Sequence, residues 1–174
     1  MEVRYVILAV LLIVTVTTDV RTYRIHNLPV ALALVCGLIW NLAADGIPGL
    51  ARSLLAALIP FALLIALFAL RMLGAGDIKL LCAIGAIMGI PFILYTIGFS
   101  FLAGGLLALG FMLVRGNGWQ RLRHIGSYLR TCFLTHNFLP YTNFDDKSDG
   151  AKFPFSLAIA AGCAVQILLS ALSA

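Results

Sequence analysis

Gly74-Ala75-Gly76-Asp77-Ile78-Lys79 holds the sole carboxylate of a long apolar run, Ile47 to Val114, directly behind two glycines. Glycine has no Cβ, so another backbone or a peptide can approach closely there. The apolar residues from Leu80 to Ile90 predict a helix that starts near Asp77. A charge at a membrane edge is costly and usually functional. Asp19 stands in a comparable place, where the first apolar run ends. Two carboxylates at two such edges raise the question of whether the fold brings them together.

The surrounding chain is a membrane sequence. Of its 174 residues 62% are hydrophobic and 11% charged, whereas a soluble domain is nearer half apolar and a quarter charged. Several apolar stretches approach the roughly 20 residues that cross a bilayer. Lipid forces each spanning segment to satisfy its own backbone, which predicts an all-α polytopic protein. Alternating segments of about ten residues, the mark of a β-barrel, are absent from the sequence. Expected spans run over about 3–18, 28–44, 50–70, 78–90, 92–114 and 153–172, about six transmembrane helices in one domain, 1–174. Glu2 beside Arg4, with no small-x-small cleavage site after the first apolar run, argues against a signal peptide.

Charge gives the orientation. The first, third and fifth loops carry Arg21, Arg24, Arg71, Lys79, Arg115, Arg121, Arg123, Arg130, Lys147 and Lys152, and the other face only Arg4 and Arg52. The positive-inside rule places those loops in the cytoplasm and both termini outside. Asp19 ends the first span and Asp77 begins the fourth, so both are expected at the cytoplasmic edge. The net charge of +5 is spread over these loops and predicts no nucleic-acid partner. In the long loop, about 115–152, Trp119, Leu122, Ile125 and Leu129 recur at helical spacing among arginines. They predict either a basic helix lying in the interface or an ordinary solvated loop. Gly85-Ala-Ile-Met-Gly89 is a G-x-x-x-G expected to let helices pack closely within the monomer. Oligomeric state is left open. Four cysteines, Cys36, Cys82, Cys132 and Cys163, form no C-x-x-C pair and predict no zinc site.

The aspartates admit several chemistries. Asp77 can cap a helix N-terminus, where negative charge is favourable, and Asp19 can pair with Arg21 or Arg24. Intramembrane carboxylates also serve proton relays in transporters. As a dyad sharing one proton they can hydrolyse a peptide bond. One, ionised, takes a proton from water, and the other, protonated, polarises the scissile carbonyl. Such a dyad needs no metal, cofactor or nucleophilic serine.

Gly74-Ala75-Gly76-Asp77 matches the G-x-G-D signature of intramembrane aspartyl proteases, and with Ile78-Lys79-Leu80 it resembles the type IV prepilin peptidases. Upstream, Asp19, a short basic loop and Arg24-Ile25-His26-Asn27 are similar to that family's aspartate, loop and Arg-Ile-Pro-Asn. Phe153-Pro154-Phe155-Ser156-Leu157 resembles the start of its final helix. His26 stands where the family has proline, which loosens a turn that proline would fix. The imidazole there is either idle or titrates near neutral pH.

The resemblance implies an inner-membrane aspartic endopeptidase with Asp19 and Asp77 as its dyad and Gly74, Gly76, Lys79, Arg24 and Asn27 as supporting residues. Lys79 would either act on an acid through its charge or snorkel to the interface. The implied substrate is a prepilin or pseudopilin in the bilayer, with its basic leader in the cytoplasm, cut at the cytoplasmic edge. Larger members carry an insert with two C-x-x-C pairs, associated with N-methylation. Nothing here matches it, which implies a peptidase-only form, as in tight-adherence (Flp-type) pilus systems. Two other classes compete: a small proton-coupled transporter and a non-catalytic pilus assembly subunit. The first predicts an inverted repeat, which the spans do not show. The second would tolerate loss of either carboxylate.

Overall fold

The structure is a computed structural model that describes residues 2–22, 25–70, 72–115 and 155–172. All regular structure among them is helical: α1 (Glu2–Thr22), α2 (Asn27–Ala69), α3 (Ala75–Met88), α4 (Ile90–Arg115) and α5 (Phe155–Leu172). Arg24 and the segment Trp119–Leu129, expected as an interfacial helix or a solvated loop, lie outside the described residues.

α1 runs one turn further than its hydropathy suggests. The threonines that make its end semi-polar do not open a loop. The hydroxyl of Thr15 donates to the Leu11 carbonyl at 2.7 Å, and that of Thr18 to the Val14 carbonyl at 2.8 Å. Each hydroxyl is satisfied one turn back, so the helix continues. Asp19, just past the expected span of about 3–18, is therefore helical and buried.

α2 is two arms joined at a corner. Gly46 has φ +65°, outside the helical region, and separates them. Pro48 follows in the first turn of the second arm, where its missing N–H costs no helix bond. The side chains of Asn41 and Ser53 both donate to the Ala86 carbonyl, at 2.9 and 2.5 Å. Twelve residues on a straight helix would separate them by about 18 Å. They meet one acceptor only because the arms fold back side by side against α3. Gly37 on one arm lies against Ile87, and Ala56 on the other lies against Gly85.

α3 is the centre. Leu80, Leu81, Ala83, Ile84 and Ala86 have no exposed surface, as expected of a helix that is apolar all round. It ends at Gly89, with φ +92°, and α4 leaves from there. Within the G-x-x-x-G, Gly85 packs against the Ala56 backbone, while Gly89 is the turn residue, with open space where a Cβ would stand. α4 and α5 pair through Gly162 against Ser100 and through the Phe101 and Phe155 rings, 5.8 Å apart.

The outer helices are apolar on their exposed faces: Val6, Val10, Ile13, Leu58, Leu102, Leu106 and Leu168 all stand exposed. Water would not tolerate so large an apolar surface, which marks contact with a membrane. Among the described residues, four helices are long and apolar enough to cross one: Val3–Thr22, Asn27–Ala69, Ile90–Gly110 and Phe155–Leu172.

Candidate functional site

The bundle has two polar ends. At one end Arg4 on α1, Asp45 at the α2 corner and Arg52 on the second arm come together. Arg52 lies 3.1 Å and Arg4 4.0 Å from Asp45 Oδ2. A cleft of about 340 Å³ opens there, walled in part by Gly49 and Pro91.

The opposite end gathers the residues singled out in the sequence. Asp19 comes from the end of α1 and Asp77 from the first turn of α3. The carboxylate of Asp77 lies within electrostatic reach of that of Asp19. Asp77 folds back on its own helix start. Its carboxylate accepts the Gly74 backbone N–H, an N-terminal donor that no helical carbonyl reaches. This is the reach of an acid at the third helical position back to the N-cap. A Cβ on Gly74 would lie 2.9 Å from Asp77 Oδ2, so the glycine makes room for that reach. At Gly76 the space is taken by Ile25, whose Cβ would stand 3.1 Å from an added Cβ.

Lys79 forms no ion pair with either acid among the described residues. Its Nζ donates to the Asn27 side-chain oxygen at 3.0 Å. Among the described residues the only ion pairs are those of Asp45. Two of the supporting residues are thus joined to each other, and the start of α2 is tied to the start of α3. His26, exposed, is the residue before α2 and makes no side-chain cap.

One partner of Asp19 is not foreshadowed by the motifs. Ser156, second residue of α5, donates its backbone N–H to Asp19 Oδ2 at 3.4 Å. α5 thereby aims its N-terminus, the positive end of its dipole, at the carboxylate. The signal in the sequence is a serine opening an apolar run just after Pro154, a common helix-start pattern. Nothing in the spacing ties that start to Asp19, 137 positions earlier. Each acid therefore sits at a helix N-terminus, Asp77 at its own and Asp19 at that of α5.

No group of three or more His, Cys, Asp or Glu side chains able to hold a metal occurs among the described residues. The chemistry open to the site is that of two carboxylates at one end of the bundle, within electrostatic reach of one another and each faced by a backbone N–H group: general acid and general base.

No curated protein and no solved structure matches the chain. A family profile does, over residues 6–109, which include Asp19, Gly74, Gly76 and Asp77 but not α5. With more than half of its length matched in this way, the chain belongs to the type IV leader peptidase family.

Proposed function

We propose that the protein is an aspartic endopeptidase that removes the leader from type IV prepilin-like substrates, with Asp19 and Asp77 as its catalytic dyad. One observation carries this reading: the two carboxylates, distant in sequence, interact at one end of the bundle in a chain of the leader peptidase family. The dyad works with one proton between two acids, since like charges held close do not both ionise easily. The ionised member takes a proton from water as that water attacks the scissile carbonyl. The protonated member hydrogen-bonds the carbonyl oxygen, then helps return a proton to the departing amine. Either acid can open the cycle, because the proton belongs to the pair. The Gly74 amide faces Asp77 and the Ser156 amide faces Asp19, so each acid has a backbone donor aimed at it before water attacks.

The substrate is a prepilin or pseudopilin whose hydrophobic helix lies in the bilayer and whose basic leader stays in the cytoplasm. In this reading the chain crosses the inner membrane six times. The arms of α2 count as two crossings and α3, 14 residues long, as a short one lined by protein on all sides. The dyad then faces the cytoplasm, supported by the basic loops at that end. The chain acts as a peptidase without methyltransferase activity, in a tight-adherence (Flp-type) pilus system.

The test is leader cleavage in membranes holding the wild type, Asp19→Asn or Asp77→Asn together with a prepilin from such a system. Cleavage by wild type, reduced at least about 10³-fold by each substitution at equal protein level, is expected for residues that act as one unit. Cleavage that survives either substitution overturns the dyad.

A further inference from the structure

Ser156 has no exposed surface, and its hydroxyl has no hydrogen-bond partner among the described residues. A buried hydroxyl without a partner carries a desolvation cost and calls for an explanation. Packing supplies none, since alanine would fill nearly the same volume without that cost. The backbone N–H of the same residue is already on Asp19 Oδ2. An ionised carboxylate offers about four lone-pair positions, and the Ser156 amide is the sole hydrogen-bond donor to Asp19 among the described residues. The hydroxyl oxygen stands three bonds from that amide nitrogen and moves between staggered wells by rotation about χ1.

We propose that Ser156 is a positioning residue for Asp19: its amide fixes one carboxylate oxygen, and its buried hydroxyl turns about χ1 to donate a second hydrogen bond to the same carboxylate. The helix that brings it, α5, lies outside the residues matched by the family profile. Two donors from one residue hold the carboxylate plane where one donor leaves it free to swing. The hydroxyl would thus be kept at a cost to stability because it orients the acid. This inference rests on the peptidase reading for its kinetics but not for its structural content.

The experiment uses the full chain in lipid nanodiscs, as wild type, Ser156→Ala and Ser156→Thr. The substrate is a prepilin with a basic leader ending in glycine followed by an apolar helix. Ser156→Ala is expected to lower kcat roughly 10- to 100-fold, the range of one hydrogen bond to a charged group, and to change KM by less than about twofold. Ser156→Thr, which keeps the hydroxyl, restores at least part of kcat. Thermal stability of the alanine variant is expected to equal or exceed that of wild type, because an unpartnered group has been removed. A merely structural serine would instead lose stability and turnover together. The second readout needs no activity. Infrared spectra with 13C-carboxylate aspartate, recorded with and without substrate, should show a band displaced by Ser156→Ala, and that displacement should vanish in an Asp19→Asn background.

Wild-type kcat in Ser156→Ala, or no displaced band in either condition, overturns the inference. If wild type cleaves nothing while the Asp19-dependent band shift is present, the peptidase reading fails and the Ser156–Asp19 relationship stands.

Discussion

Lys79 and Asn27 are joined by a hydrogen bond of 3.0 Å from Nζ to Oδ1, which ties the N-terminal part of α3 to the first residue of α2. Both side chains are exposed. The ammonium is therefore engaged with a neutral amide at the protein surface, not with either aspartate. An exposed bond of this kind contributes about 1 kcal/mol or less. Lys79→Met should accordingly cleave a prepilin within about twofold of wild type, with an unchanged pH profile. A displacement of the profile by a full pH unit would mean that the ammonium acts on the dyad after all. Asn27→Ala is expected to behave like Lys79→Met, since it removes the other half of the same bond.

Gly74 and Gly76 separate two effects that the signature alone leaves merged. At Gly74 an added Cβ would meet Asp77 Oδ2 at 2.9 Å, a contact that forces the carboxylate off the Gly74 amide. At Gly76 the Cβ would meet the Ile25 side chain at 3.1 Å, and a side chain can give by a few tenths of an ångström. Gly74→Ala should therefore lower kcat by tenfold or more at normal protein levels. Gly76→Ala should cost little turnover and at most about 1–3 kcal/mol of stability from overpacking. Kinetics and thermal unfolding on both variants check this. An active Gly74→Ala enzyme would show that the back-reach of Asp77 is not needed for cleavage.

The helical class and the two aspartates at the edges of apolar runs are legible in hydropathy and charge alone. The apolar run around Asp77 can only be helical in lipid. What local sequence does not carry is tertiary. A threonine-rich end reads as polar in a window of hydropathy, yet in the fold each hydroxyl bonds back to a carbonyl and α1 continues through Asp19. Gly85 and Gly89 look alike in the sequence, but one packs against the Ala56 backbone and the other turns the chain at positive φ. The approach of Ser156 to Asp19 joins residues 137 positions apart, and no local pattern encodes such a contact. Lys79 and Asn27 each stand out by motif, while their bond to one another depends on how α2 and α3 pack.

The contact between α3 and the second arm of α2 yields the sharpest stability prediction. Gly85 lies against the main chain of Ala56, and a Cβ there would collide with the Ala56 carbonyl oxygen and carbon. Backbone inside a helix cannot step aside as a side chain can, so the two helices would have to separate. Ala83, Ile84 and Ala86, all without exposed surface, flank the contact, and separation would open their packing as well. Gly85→Ala should cost at least about 1–3 kcal/mol, the usual range for overpacking a filled core. Gly98, on the membrane-exposed helix α4, has nothing within 4 Å of an added Cβ. Gly98→Ala should therefore be neutral or stabilising by up to about 1 kcal/mol, since alanine loses less backbone entropy in a helix than glycine does. Unfolding of both variants in the same detergent or nanodisc isolates the effect of the contact, because each change adds one methyl group to a helix. Equal stability of the two would mean that α2 and α3 do not approach as closely as the Gly85–Ala56 contact requires. A loss at Gly85 alone would identify the missing side chain there as what lets α3 sit against both arms of α2 and carry Asp77 to the end of the bundle where Asp19 lies.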